Sequence, residues 1–479
     1  MDTVAQSEFF AKPEVAKALA EVRRVIRGVL PQGSFGDRED VLLALTDEAM
    51  RSLIEEDLRA IAVGFGSRLL VDGVEYKQHE PGTGKYHCLG GLVEIERYTY
   101  RPVGVHNGKT IVPLELAAGL AEGATPALAY NIAHGYGQHD TRRHCESLEA
   151  ARRTPPPRAT LERMAKGLAC EAQREVARIE NICRQTEVVP EGTRAVSIGL
   201  DRTAVPMVEE RTEGAPPKPQ RPRRKRRIRR APKPFDIVWR MAYVGTVSFV
   251  DENGEAIVTR RYAAPACDDP AVILKRMSAD VAAAVRRQPT LNVGIVQDGA
   301  PEMWNATRQA LAPLQTKGVI SGWKEGIDRF HLMEHLGAAL EIVEGDAEAR
   351  RAELKLWNDL LDADDDAIEQ IETELTWRCV EQPDATQDAM LVHLGYLENN
   401  KDRMRYASLK NAGLPIGSGV TESAAKTVIG QRAKNSGQRW SEPGLRGVLT
   451  LRAIHQSDRL PQFWSYLSRR YTAEIAEAA

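Results

Sequence analysis

Mixed α/β architecture is what the spacing of apolar residues predicts for this chain. Two β-like runs, AVSIGLD and LNVGIVQD, each end in an aspartate, Asp201 and Asp298, with a hairpin-like pair of runs and a helical stretch between them. Helical periodicity over 331–411 then separates these runs from the glycine turn and helix that carry Glu422. The expected class is therefore α/β in the α+β sense: a mixed-sheet core interrupted by an all-helical insertion. It is preceded by a helical N-terminus, a small β module and a second helical region.

Residues 13–30 and 38–63 are expected to be helices, because apolar positions in EDVLLALTDEAMRSLIEEDLRAIAV recur every three or four residues among charges. From Arg68 to Pro113, short runs rich in Val, Tyr, Ile and Thr take over, with turns expected at Gly82, Gly90 and Asn107-Gly108. PGTGKY, from Pro81 to Tyr86, lacks the spacing of a phosphate loop and reads as one of these turns. Helical periodicity returns over 114–187, broken by TPPPRAT, whose prolines stop one helix and whose Thr160 is placed to cap the next. These helices fit a helix-turn-helix DNA-binding unit, and ordinary helical packing gives the same pattern.

AVSIGLD follows as a strand, 206–235 as a basic Pro/Arg insert, and FDIVWRMAYVGTVSFV as a strand turning at Asp251 to Gly254 into EAIVTRRYAA. Residues 270–287 form a helix, LNVGIVQD a strand, and PEMWNATRQALAPL a helix with Pro301 in its first turn. This β, β, β, α, β, α order matches a ribonuclease-H-like core. The expected regions are 1–66 (helical start), 67–115 (β module), 116–190 (helical, helix-turn-helix-like), 191–330 (first part of the core), 331–411 (helical insertion) and 412–479 (last part of the core).

At 479 residues the chain exceeds one core, and its 42% hydrophobic and 28% charged residues are the makeup of a soluble globular protein. Its net charge of −2 hides an uneven distribution. KPQRPRRKRRIRRAPK (218–233) holds ten Lys or Arg and no acid; residues 331–400 hold 18 acids and 4 bases, and residues 401–460 hold 11 bases and 4 acids. The segment around Glu422 is thus the one suited to face DNA. The six cysteines form no CxxC pair, which argues against a disulfide framework or a thiolate zinc site. No apolar run approaches the ~20 residues of a membrane span, and the opening MDTVAQSEFFAKPEVAKAL lacks a signal-peptide core, so a cytoplasmic setting is expected.

Asp201, Asp298 and Glu422 carry the chemistry. Mg²⁺ takes oxygen ligands from one or two carboxylates together with substrate phosphates, and two such ions about 3.5–4 Å apart clamp both oxygens of a phosphodiester displacement. Each acid also has an ordinary reading, as a strand-ending turn residue or as a helix-end Glu beside the cap residue Ser418. Lys426 lies one turn beyond Glu422. RAKNSGQRW adds Arg432, Lys434 and Arg439 as phosphate-binding cations and Trp440 as an aromatic able to stack on a base; a solvated basic loop with a core tryptophan is the alternative. Within the basic run, Arg223, Arg224, Lys225, Arg226 and Arg227 are placed to bind DNA backbone or to serve as a tether. His331, Glu334 and His335 also fit H-x-x-E-H, an inverted zinc-peptidase motif.

The stretches GLDRTAVPM, VQDGAPEMW, GWKEGIDRFHLMEHL and PIGSGVTESAAKTVIGQRAKNSGQRWSEPG, in order across 196–460, strongly resemble bacterial insertion-sequence transposases of the ISKra type, within the Asp-Asp-Glu transposase group. The resemblance implies a catalytic triad of Asp201, Asp298 and Glu422 on a ribonuclease-H-like fold, holding two Mg²⁺ or Mn²⁺ ions. Asp328 and His331 match a D-x-x-H element that follows the second acid in related groups, with Trp323 as an auxiliary residue of the same stretch. The cysteine pair that family members often carry near RPVGVHNGKTIVPLEL is missing, so no zinc ribbon is carried over. The implied activity is binding of terminal inverted repeats in double-stranded DNA, strand cleavage, and joining of the freed 3′-OH to target DNA. The implied assembly is a homodimer or higher oligomer, away from membranes, in the bacterial cytoplasm and on the nucleoid when DNA-bound. A non-catalytic DNA-binding protein derived from a transposase and the zinc peptidase stand as alternatives.

Overall fold

The computed structural model describes residues 8–211, 235–265, 269–298, 300–380, 382–435 and 437–478. Nine strands are described: β1 (Arg68–Val71), β2 (Val74–Cys88), β3 (Gly91–Pro102), β4 (Ala195–Glu210), β5 (Phe235–Val250), β6 (Ala256–Ala264), β7 (Asn292–Gln297), β8 (Lys324–Ile327) and β9 (Ile475–Glu477). They form two sheets in a mixed α/β chain, of order β3-β2-β1-β9 and β6-β5-β4-β7-β8. The chain divides into two compact units: residues up to 132, 139–165 and from 468 onward, and residues 133–138 with 166–467.

In the first unit the sheet is antiparallel throughout. The helix Phe35–Val63 starts at Ser34, which accepts from the backbone of Asp37 at 3.2 Å while the Asp37 carboxylate accepts from Ser34 N at 3.0 Å, a reciprocal cap for two otherwise orphaned N–H groups. Its Leu58, with Ile54 and Ile61, packs on Tyr86, Val93 and Ile95, the inward residues of β2 and β3. Gly82 is not a turn: β2 runs through it with an irregularity between Gln78 and Pro81, because the ladder to β3 takes up the backbone from Pro81 to Cys88. PGTGKY is therefore strand. Thr160 lies inside the helix Arg158–Thr186 rather than capping it. The C-terminal β9, expected within the core region 412–479, instead pairs with β1; at three residues it is too short to carry a periodic signal.

In the second unit β4 pairs antiparallel with β5 along its whole length and parallel with β7, which pairs parallel with β8. Side chains alternate across the sheet. Val196, Ile198 and Leu200 pack with Ile273, Leu274 and Met277 of the helix Ala271–Arg287 and with Trp304 of the helix Pro301–Thr316. On the other face Val205, Met207, Ala242 and Val244 pack with Ala424, Val428 and Ile429, and with Leu445 and Leu449 of the helix Glu442–His455. β4 does not stop at Pro206, where the basic insert was expected to begin: Trp440 N donates to Pro206 O at 3.0 Å and Val208 N to Trp440 O at 2.7 Å, so the edge is paired on both sides. The residues Arg223, Arg224, Lys225, Arg226 and Arg227 lie outside the described residues. β8, only four residues long and half charged, was not foreseen.

The expected insertion is helical: Arg329–Val343, Ala347–Ala363, Ala367–Val380, Asp384–Asn400 and Tyr406–Asn411. Leu332, Leu336, Trp357, Leu361, Ile371 and Met390 share one buried cluster.

Candidate active site

The register of three adjacent parallel strands aligns three aspartates. β4 pairs Ala195 with Asn292 and Ile198 with Ile295, so the same offset continued sets Asp201 across from Asp298. β7 pairs Gly294 with Lys324 and Gln297 with Ile327, which sets Asp298 across from Asp328. The three acids thus follow the ends of the parallel ladders, where open sheets with parallel strands build their sites. Asp201 is not at the end of its strand as expected; the parallel ladder ends at Ile198, but the antiparallel ladder to β5 carries β4 on to Glu210.

The Glu422 helix lies close against the sheet. Gly199 allows the approach: a Cβ there would sit 2.0 Å from Thr421 Oγ1 and 3.0 Å from Val296 O. Thr421 Oγ1 also shares a buried 2.7 Å hydrogen bond with Thr246 of β5. Ser418 occupies the cap position without capping; its hydroxyl donates to Glu422 Oε1 at 3.2 Å. After Ala424 the chain widens into a π-helical turn, Ala425–Gly430, a local form that often marks functional sites. Replacing Gly199 by Ala is expected to lower unfolding stability by about 1–3 kcal/mol, the usual magnitude for overpacking, and to displace the Glu422 helix. Chemical denaturation and the amide NMR shifts of residues 419–424 check this.

Asp328 is buried at 2% exposed. One of its oxygens accepts from His331 N at 3.0 Å, capping the helix Arg329–Val343, and the other accepts from Ser418 N. This aspartate therefore ties the insertion's first helix to the loop that presents Glu422. Asp328→Ala is expected to cost about 1–2 kcal/mol of stability, as loss of an N-cap does, and to loosen Glu422. Hydrogen exchange at Ser418 and His331 faster than in the wild type is the readout.

His331 stands among the acids, its Nε2 4.0 Å from both Asp298 Oδ1 and Glu422 Oε1. Burial alone would lower this imidazole, but its 3.1 Å hydrogen bond to Glu334 and the fields of Asp298 and Asp328 raise it above its ordinary value. Burial, then the charges of Asp298 and Glu422, raise the Asp201 carboxyl, against a backbone N–H from Arg202 at 2.6 Å that lowers it. The other two predicted acids thus act on Asp201 electrostatically.

Asp201 and Glu422 line a cleft of about 480 Å³ with Arg202, Thr203, Lys426 and Lys434. Lys434 Nζ donates to Thr203 Oγ1, Lys426 Nζ is 3.7 Å from Glu422, and Arg202 turns to Glu302 at 2.6 Å. Lys426, Lys434 and Arg439 are exposed. Arg432 and Trp440 are not on a phosphate-facing surface: Arg432 is 4% exposed with its guanidinium 4.8 Å over the Trp440 ring, and the indole N–H donates to Ala433 O at 3.0 Å. Their packing holds the loop against β4. Trp323 Nε1 donates to Glu325 Oε1 at 3.0 Å and braces β8.

The H-x-x-E-H residues do not converge. His335 pairs with His393, Nδ1 to Nδ1 at 3.1 Å, and stacks on Tyr396 at 3.8 Å, while Glu334 holds His331. Among the described residues the group with ligand atoms all within 4.8 Å is instead Asp328, His331 and Glu422. Both Asp328 oxygens accept backbone N–H groups, so this member of the group also holds the Glu422 loop in place. Asp201, its carboxyl raised partly by the charges of Asp298 and Glu422, and Glu422 beside it in the cleft offer oxygen donors of the kind a hard divalent ion takes.

The chain matches no protein-family model and no curated protein. Sequence reasoning missed the roles of Gly199, Thr421 and Thr246. A lone glycine in an apolar strand was the available signal for the first, since it marks close approach of another segment.

Proposed function

We propose that the chain is a transposase of the Asp-Asp-Glu group, acting on the ends of a bacterial insertion sequence. The observation that carries this reading is the approach of three acids spread over more than two hundred residues: Asp201 and Glu422 line one cleft with Lys426 and Lys434, the charges of Asp298 and Glu422 raise the Asp201 carboxyl, and His331 Nε2 lies 4.0 Å from both Asp298 and Glu422. The strand order β6-β5-β4-β7-β8, with β5 antiparallel to a parallel trio, supports a ribonuclease-H-like core, as does the helical block before Glu422.

Two Mg²⁺ or Mn²⁺ ions bound at the acids would stabilise the attacking and leaving oxygens of an in-line phosphodiester displacement. The chain's own residues do the rest. Lys426 and Lys434 hold backbone phosphates at the cleft, and Arg439 is a further exposed cation of the same segment. Ser418 and Asp328 orient Glu422 from behind. Double-stranded DNA is the partner, and joining two element ends calls for a homodimer or larger assembly.

The test is incubation of the full chain, with Mg²⁺ or Mn²⁺, with duplex DNA carrying the genomic sequence that flanks its reading frame. Nicks at a defined position, leaving a 3′-OH that then joins a plasmid, are expected. Intact DNA in both metals contradicts the proposal.

A further inference from the structure

We infer that the sheet face opposite the acids carries a second DNA-backbone site, a basic groove along the helix Ala271–Arg287; this rests on the transposase reading. The groove measures about 660 Å³ and is floored by Ser278, Ala279, Ala282 and Ala283, with Lys275 and Arg286 at its ends. Those two cations lie on one helical face, eleven residues apart, which at 1.5 Å per residue is roughly 16 Å, room for two or more phosphates of one strand.

The groove is open and charged in a way that a solvated helix surface does not require. Neither Lys275 nor Arg286 makes an ion pair among the described residues, and no acid lines the groove. The neighbouring arginines are already used inside the protein: Arg184 is buried against Asp280, and Arg287 donates to the carbonyl of Arg184. The floor of small side chains lets a wide polyanion come close to the helix, while Asn181 and Gln185 on one wall offer neutral hydrogen-bonding groups suited to phosphate oxygens. Alternation along β4 separates this surface from the catalytic acids. Leu200 packs toward the groove helix, whereas Asp201 and Gly199 face the Glu422 helix. Lying on the opposite face of the sheet from the acids, the groove suits duplex DNA flanking the reacting segment.

The experiment measures binding of a 30-base-pair duplex to the full chain by fluorescence anisotropy, without divalent metal, over a series of KCl concentrations. Lys275→Ala/Arg286→Ala is compared with Arg351→Ala/Lys355→Ala, an equal charge change on the exposed, acidic insertion. Each phosphate contact contributes about 0.9 to the slope of log K against log salt, so the groove variant should lose about 2 from that slope and bind several-fold more weakly. The control variant should match the wild type. Ala279→Trp, which fills the floor without changing charge, should weaken binding as well. Wild-type slope and affinity in the groove variants, with the wild type binding duplex, overturn the second site and leave the transposase reading standing. A wild type that binds no duplex overturns both.

Discussion

Replacing Asp298 by Asn is expected to abolish metal-dependent DNA cleavage while leaving the protein folded. The charge of Asp298 reaches both the Asp201 carboxyl and His331. Removing one carboxylate from a two-ion site forfeits several kcal/mol of transition-state stabilisation, which at 1.36 kcal/mol per decade is about 10³-fold or more in rate. In the metal-free protein the same change removes one repulsion, from Asp201, and one attraction, to His331. The Asp201 carboxyl, held high partly by Asp298, should move toward its ordinary value, and the His331 imidazole, raised partly by the same charge, should move down. Single-turnover cleavage and NMR titration of the two side chains read these effects. Undiminished cleavage would refute the role of Asp298.

The largest effect on stability is expected from Asp280→Ala. This carboxylate, 3% exposed, accepts hydrogen bonds from Arg184 and Tyr262 and lies 3.2 Å from Arg459, which in turn holds Glu187 at 2.7 Å; Arg276 and Glu180 pair beside them at 2.8 Å. Removing the carboxylate leaves two buried arginines short of their counter-charge, a loss of about 3–5 kcal/mol, seen as a lower urea midpoint at unchanged slope. Burial works to raise the Asp280 carboxyl, but Arg459 and Arg184 outweigh it and hold it below its ordinary value. A lowered folded-state pKa means that the unfolded chain binds the proton more readily. The stability from Asp280 is therefore present above the ordinary carboxylate range and is lost as pH falls below about 4 toward the folded value. Asp280→Ala should flatten that acid limb of the stability curve.

Much of the site was legible because it sits where local patterns end. An apolar run closed by an acid marked Asp201 and Asp298, and a glycine turn before a helix marked Glu422. The helical insertion was legible from periodicity alone. What escaped was decided by partners distant in the chain. β4 runs past Asp201 and Pro206 because β5 and Trp440 pair with it. β8 is strand because it continues a parallel ladder begun by β4 and β7, not because KEGI has a strand pattern. Arg432 read as a phosphate ligand, yet it stacks on Trp440 inside the fold; a guanidinium with a long apolar stem can be packed as readily as exposed. The place of Asp328, buried between two backbone N–H donors, also depends on a contact ninety residues away.

Divalent-ion binding tests the shared acid site most directly. Titration of the full chain with Mn²⁺, followed by electron paramagnetic resonance of the free ion, should show saturable binding that Asp201→Asn, Asp298→Asn and Glu422→Gln each weaken at least tenfold, with Glu334→Gln left at the wild-type value. Three acid variants that bind Mn²⁺ as the wild type does would contradict the account.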